Sequence, residues 1–295
     1  MLQEGYYTAL GTPLDENGRF IPESFARQVD DQIQFNASGL LIMGSMGLGV
    51  YVRQEDYVSV ARTGIEAAAK RCPVFVGATD TCIGRVCDRI DALKGLDIDG
   101  IVMTAPYYHT VTDKELIKFY STVANHSPYP VYLYDLPVAA RNKVTIETMK
   151  GLRAVSNIKG IKTADIELAH WLQGQVAEKT FAEDFRVLYS GLDTFDTAYA
   201  DGVKRNLDGM FACTGKIAQK MYQQLSEGDL AAGSERLKEI IGLRDVFASE
   251  LILPSFTYAM NLLGYQGYFH QDYFEMPSPE QKERVKSYME RYDLI

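Results

Sequence analysis

Short apolar runs alternate with longer stretches in which apolar positions recur every three or four residues, and the alternation persists along most of the chain. The short runs are bounded by Gly, Pro or polar clusters and predict strands near 6–13, 39–45, 74–78, 100–105, 131–134, 158–163, 186–190 and 209–213. Between them the spacing is helical. Ile83, Val86, Ile90 and Leu93 fall on one face. Leu116, Phe119, Tyr120 and Val123 form a similar stripe, opened by Thr112 and Glu115 as a capping box. Strand–helix units in succession imply a parallel sheet, because each parallel crossover needs its helix. Eight of them favour a closed (β/α)8 TIM barrel over an open doubly wound sheet.

Beyond the last predicted strand the pattern is helical, with Leu237, Ile240, Ile241, Arg244 and Phe247 on one stripe and further helices over 257–263 and 279–292. The expected organisation is a catalytic barrel over 1–215, followed over 216–295 by the last barrel helix and a C-terminal helical extension packed on the barrel. No low-complexity segment or linker divides the chain.

With 46% hydrophobic residues the chain can bury a large core. A net charge of −9 argues against nucleic acid or an anionic membrane as the main partner. An anionic substrate would need local cationic or dipolar groups. Cys72, Cys82, Cys87 and Cys213 form no CxxC or Cys/His cluster, which fits free thiols in a reducing cytosol. The first residues do not read as a signal peptide, and no apolar run is long enough to span a bilayer, so a soluble, cytoplasmic protein is expected. His109, His126, His170 and His270 form no ligand pair at i, i+3 or i+4, so neither a metal site nor another cofactor is expected.

Active sites of such barrels lie at the C-terminal ends of the strands. In the predicted strand over 158–163, Ile158, Gly160 and Lys162 share one face while Lys159, Ile161 and Thr163 take the other. A lysine buried at a strand end is driven towards its neutral, nucleophilic amine, unless it snorkels with its ammonium in water. The glycines of Met43-Gly44-Ser45-Met46-Gly47-Leu48-Gly49 permit a tight turn with consecutive N–H groups, a cradle suited to a carboxylate, although plain turn chemistry explains them too. The GxGxxG spacing of a dinucleotide site is absent. Tyr132 and Tyr134 share a strand face; a tyrosine beside an amine and a carbonyl is suited to shuttle protons, though packing alone is the commoner role. His109, beside Tyr108, is a competing acid–base candidate in a loop.

Taken together these elements resemble a known family. Gly44-Ser45-Met46-Gly47 resembles the G-T/S-T-G-E element, Tyr134-Asp135-Leu136-Pro137 the Y-N-x-P element and Gly160-Ile161-Lys162 the G-I-K element of the dihydrodipicolinate synthase / N-acetylneuraminate lyase family of class I aldolases. Thr12-Pro13, Pro106-Tyr107-Tyr108, Gly191 with Asp193 and the helical tail extend the resemblance over essentially the whole chain. It implies that Lys162 forms an imine with pyruvate or a 2-keto acid, with Tyr134 moving protons, Ser45 linking Tyr134 to solvent, and Tyr108 completing the relay from a neighbouring subunit of a dimer or tetramer. The N–H groups of Ser45 and Met46 would hold the substrate carboxylate, and Gly191 and Asp193 would lie where sialic acid lyases bind the sugar tail. Asp193 and Thr194 also read as caps of the next helix.

Several positions depart from the family pattern. Met46 removes a side-chain hydroxyl, Leu48 replaces a glutamate and reads as structural, and Asp135 replaces an asparagine, placing a carboxylate beside the shuttle. Ala139 stands where dihydrodipicolinate synthases carry the arginine for the second substrate's carboxylate; Arg141 comes two positions later. Phe211, Ala212 and Cys213, read as the end of the eighth strand, make a drier wall than the serine of sialic acid lyases. The implied activity is reversible cleavage of a 2-keto-3-deoxy sugar acid or N-acetylneuraminate to pyruvate and an aldehyde. Alternatives are condensation of pyruvate with aspartate semialdehyde, a sugar-acid dehydratase using the same imine, and a non-catalytic keto-acid sensor.

Overall fold

A computed structural model describes residues 2–295. The elements run β1 (Gly5–Ala9), α1 (Pro22–Gln34), β2 (Gly39–Ile42), α2 (Gln54–Ala68), β3 (Val74–Gly77), α3 (Ile83–Ala92), β4 (Gly100–Thr104), α4 (Asp113–His126), β5 (Val131–Asp135) and α5 (Pro137–Ala140). They continue with α6 (Ile146–Leu152), β6 (Ile158–Thr163), α7 (Ile166–Ala177), β7 (Arg186–Tyr189), α8 (Phe195–Ala200), β8 (Arg205–Asp208), α9 (Phe211–Ser226), α10 (Leu230–Ala248), α11 (Ile252–Leu262) and α12 (Pro279–Arg291). The strands follow one another in sequence order and close into a parallel barrel. This is the (β/α)8 TIM barrel with C-terminal helices that the alternation predicts.

The chain falls into two compact units. One comprises residues 2–4 and 75–207, from β3 to β8 with helices α3 to α8. Its interior face is set by register: Tyr132 pairs with Gly160 and Tyr134 with Lys162, while Ile101 pairs with Val131 and Thr104 with Tyr134. Helix α4 begins as its sequence requires, with the Thr112 hydroxyl and the Glu115 carboxylate exchanging hydrogen bonds with each other's backbone N–H. Its stripe of Leu116, Phe119, Tyr120 and Val123 is buried.

The other unit comprises 5–74 and 208–295. Here β1 and β2 pair with Tyr7 opposite Gly39, α9 covers β1, and α10 lies along α9. Thus the last helices and the first strands share one core.

The eighth strand corrects the sequence reading. It runs over Arg205–Asp208, and the apolar run Phe211-Ala212-Cys213 opens helix α9. Arg205, Asn206 and Asp208 hid the strand behind polar side chains, whereas the buried first turn of a helix and a short core strand have the same apolar look.

Candidate active site

The centre of the site is built by two neighbouring strands. On β6, alternation sends Ile161 outwards to complete burial and lets Lys159 reach Asp184 at 2.6 Å, while Gly160 and Lys162 take the opposite, interior face. Lys162 is only 5% exposed, and its Nζ lies 3.9 Å from the centroid of the Tyr134 ring, itself equally buried. The snorkelling alternative therefore does not hold: the side chain is buried, with its Nζ over the Tyr134 ring rather than extended into solvent. Beneath the pair, Tyr132 packs edge-on against Phe75 at 5.0 Å between centroids. Its ring occupies the space beside Gly160 and Gly100, where added Cβ atoms would lie 2.7 Å from it. The glycine of the Gly-Ile-Lys element is thus what lets an aromatic floor slide under the lysine.

Asp135 does not stand beside the shuttle. As the next residue after Tyr134 it faces away from the interior, accepting from Thr163 Oγ1 at 2.9 Å and from the Val144 N–H at 3.0 Å, with a salt bridge to Lys143. Lys143 also meets Asp165 at 2.9 Å. Burial disfavours the Lys143 ammonium, but the hydrogen bonds and charges of Asp135 and Asp165 outweigh it and raise its pKa above the ordinary lysine value. The carboxylate in place of the family asparagine is an anchor for the 141–145 segment, paired with its own lysine.

Tyr108 lies in the loop after β4, is 76% exposed and holds φ at 90°, in the left-handed region that residues with side chains rarely adopt. It turns out from the buried pair, its ring edge-on to His109. Past β7, Gly191 permits the close approach of the Tyr189 hydroxyl, which would lie 2.4 Å from an added Cβ. Asp193 is exposed in the short 3-10 turn Leu192–Thr194. Helix α8 takes no side-chain cap from Thr194, whose hydroxyl instead meets that of Tyr189 at 2.5 Å.

Ser45, Met46 and Cys213 belong to the other unit. The loop after β2 is tied to β1's end by Thr12 Oγ1, which donates to Gly47 O at 2.6 Å. Leu48 N–H donates to Ser45 O and Gly49 N–H to Gly44 O, which fixes the peptide planes of Ser45 and Met46. Leu48 is fully buried, in keeping with a structural role. Met46 covers Gly209, where a Cβ would be 2.7 Å from its Cε. Gly209, read from the sequence as the first residue of the eighth strand, lies just past β8 instead; the polar–apolar alternation of Asn206-Leu207-Asp208 ending in a glycine was the signal of the true strand. Cys213 does not end a strand. It is buried in the first turn of α9, its Sγ donating to Met210 O, and burial pushes its thiol pKa well up. Among the described residues no group of three or more His, Cys, Asp or Glu side chains is placed to hold a metal ion.

The dihydrodipicolinate synthetase family model matches residues 2–290. The chain belongs to that family. Its members are class I, pyruvate-dependent lyases, and this protein is an enzyme of that class. Among curated relatives it is 25% identical over 270 residues to a 4-hydroxy-tetrahydrodipicolinate synthase of Gluconacetobacter diazotrophicus, covering 90% of this chain and 88% of the relative. A synthase of the same name from Acidiphilium cryptum is 26% identical over 97% of this chain and 95% of its own. Among solved structures, YagE from E. coli K12, a prophage protein of the dihydrodipicolinic acid synthase family in complex with pyruvate, superposes with a TM-score of 0.90 at 22% identity, all of both chains being covered. No helix among the described residues is long and apolar enough to cross a membrane.

Proposed function

We propose that the protein reversibly cleaves a 2-keto acid of the sugar-acid type to pyruvate and an aldehyde, through a Schiff base on Lys162. The observation that carries this reading is the buried Lys162 amine 3.9 Å from the Tyr134 ring centroid. The amine attacks the keto carbon, and the carbinolamine loses water to give a protonated imine. The C4 hydroxyl then gives up its proton as the C3–C4 bond breaks. The bonding electrons pass into the imine to form an enamine, and the aldehyde departs. Protonation of the enamine at C3 and hydrolysis of the imine release pyruvate and restore the lysine. Tyr134 carries the protons, Ser45 links it to solvent, and Tyr108 serves the relay from a neighbouring subunit. Its exposure and strained backbone suit a side chain used across an interface of a cytoplasmic dimer or tetramer.

The backbone amides of Ser45 and Met46 hold the carboxylate, an oriented-dipole site in a protein whose overall charge repels anions. Gly191, Asp193 and the wall near Met46 and Cys213 border the second substrate. The small, exposed Ala139 in α5 offers no cation to a second carboxylate, which favours a polyol aldehyde over aspartate semialdehyde. The names of the relatives favour the second reading, condensation of pyruvate with aspartate semialdehyde. A dehydratase would share the first imine.

The test is intact mass after borohydride reduction with pyruvate. A pyruvate adduct on the wild type and none on Lys162→Ala is expected. Absence of an adduct in the folded wild type would sink the mechanism, and an adduct retained in Lys162→Ala would move the nucleophile elsewhere. Products from 2-keto-3-deoxygluconate, from N-acetylneuraminate and from pyruvate with aspartate semialdehyde then decide the partner.

A further inference from the structure

Asn142, in the segment between α5 and α6, is 4% exposed although both ends of its amide are polar. Its Nδ2 donates to Pro106 O at 2.7 Å, His109 O at 2.8 Å and Ala140 O at 3.1 Å. Its Oδ1 accepts from the Val111 N–H at 2.9 Å. Three of these four partners belong to the loop that leaves β4, and the two carbonyls at Pro106 and His109 bracket Tyr107 and Tyr108. The amide therefore closes a turn around Tyr108 from outside the loop's own chain, at the point where φ of 90° needs external support.

Asn142 is itself fixed. The Val144 N–H donates to Asp135 Oδ1 at 3.0 Å, and Lys143 bridges Asp135 and Asp165. Asp135 follows Tyr134 directly in β5. An unbroken line of bonds thus runs from the strand that carries Tyr134, through Asp135 and 142–144, to the loop that carries Tyr108.

We propose that Asn142 is a positioning residue for the proton relay: it holds the 106–111 loop so that Tyr108 is presented in one orientation. The inference rests on the Schiff-base reading. Only an asparagine-like group supplies both functions here, since the site needs a donor for two loop carbonyls and an acceptor for one loop N–H. Aspartate keeps the shape and the acceptor but turns the donor into an anion facing carbonyl oxygens. Alanine removes both.

The experiment uses pyruvate alone, so that it does not depend on the unidentified aldehyde. Exchange of pyruvate C3 protons for deuterium in D2O, followed by proton NMR across pH, reads imine–enamine turnover, while borohydride trapping at equilibrium reads Lys162 itself. Wild type, Asn142→Ala, Asn142→Asp, Tyr108→Phe and the double variant Asn142→Ala/Tyr108→Phe are compared. Each single variant should lower the exchange rate at saturating pyruvate by about 10- to 100-fold, the usual consequence of a misplaced group. Trapping at equilibrium should remain at the wild-type extent. The decisive result is the double variant, which should be no slower than Tyr108→Phe alone, because Asn142 acts through that tyrosine. A double variant slowed by the product of the two single effects would overturn the proposal, as would wild-type exchange in Asn142→Asp. If Asn142→Ala merely loosens the fold, the isosteric aspartate variant still answers through its trapped adduct and pH profile. A wild type that takes no adduct defeats the Schiff-base reading itself, and does so before any variant is made.

Discussion

At Gly160 the barrel interior leaves no room for a single carbon. An added Cβ would lie 2.3 Å from Arg186 O and 2.7 Å from the Tyr132 ring. The carbonyl is backbone on the neighbouring strand and cannot swing aside, so the strain must be met by moving β6, which carries Lys162. Gly160→Ala should cost about 1–3 kcal/mol in urea unfolding, as overpacked cores do, and slow formation of the Lys162 adduct. An unchanged midpoint would show slack in the interior. Gly174 gives the opposite sign for the same substitution. It lies exposed within α7 with nothing within 4 Å of an added Cβ, so Gly174→Ala should stabilise by about 0.5–1 kcal/mol. Strand alternation put Gly160 with Lys162 on one face and Tyr134 with Tyr132 on another, but it was the resemblance of the motifs that made these the faces turned to the site. The same alternation places Asp135 outward, but its partner Lys143 comes from a later loop, and only the folded chain joins them. Asn142 carried no sequence signal at all, because its partners are backbone carbonyls and amides, which any residue supplies.

Between elements, the end of β3 is fastened to α3 through Asp80. This carboxylate is 2% exposed, receives the Thr81 N–H at 2.7 Å, and pairs with Arg85 at 2.6 Å and with the buried Arg89 at 3.0 Å. Burial pushes its pKa up, but the Arg85 hydrogen bond, the Thr81 amide and the two guanidinium charges more than offset this and hold it below the ordinary aspartate value. Replacing it by asparagine takes the charge of Asp80 away from the buried Arg89, and removing one partner of a buried pair costs about 3–5 kcal/mol in comparable cases. Because the folded pKa is depressed, the contribution is complete above the unfolded value of about 4 and is lost as pH falls through the folded one. The stability gap between wild type and Asp80→Asn should therefore be constant at neutral pH and narrow in acid, by denaturant titration at several pH values. A gap that widened in acid would contradict this sign. The elements themselves were readable wherever period and boundary residues agreed, as in α4 with its cap and stripe. β8 was not, because its strand is polar at three of four positions and the apolar run beside it belongs to α9.

For the molecule as a whole, the C-terminal helices are part of the core that holds the first strands. α9 covers β1, and α10 lays Leu237, Ile240, Leu243 and Phe247 into the buried interior of the same unit. Arg27 of α1 donates to Leu263 O and Gly264 O at 3.1 and 2.9 Å, and the Tyr265 hydroxyl donates to Asp31 at 2.7 Å. Leu14 and Tyr268 exchange backbone hydrogen bonds. Burying the four α10 side chains is worth about 1.5–3 kcal/mol each, which sums to the order of the whole stability of a typical domain, about 5–15 kcal/mol. A chain ended after residue 226 should consequently lose cooperative thermal unfolding and expose apolar surface, even though every strand and every residue of the proposed site lies before the cut. Circular dichroism melting and borohydride trapping of pyruvate on the truncated chain provide the check. If the shortened chain melted cooperatively and still took the adduct on Lys162, the last helices would be an appendage. The expected loss of both means that the lysine's chemistry depends on a core completed only by the end of the sequence.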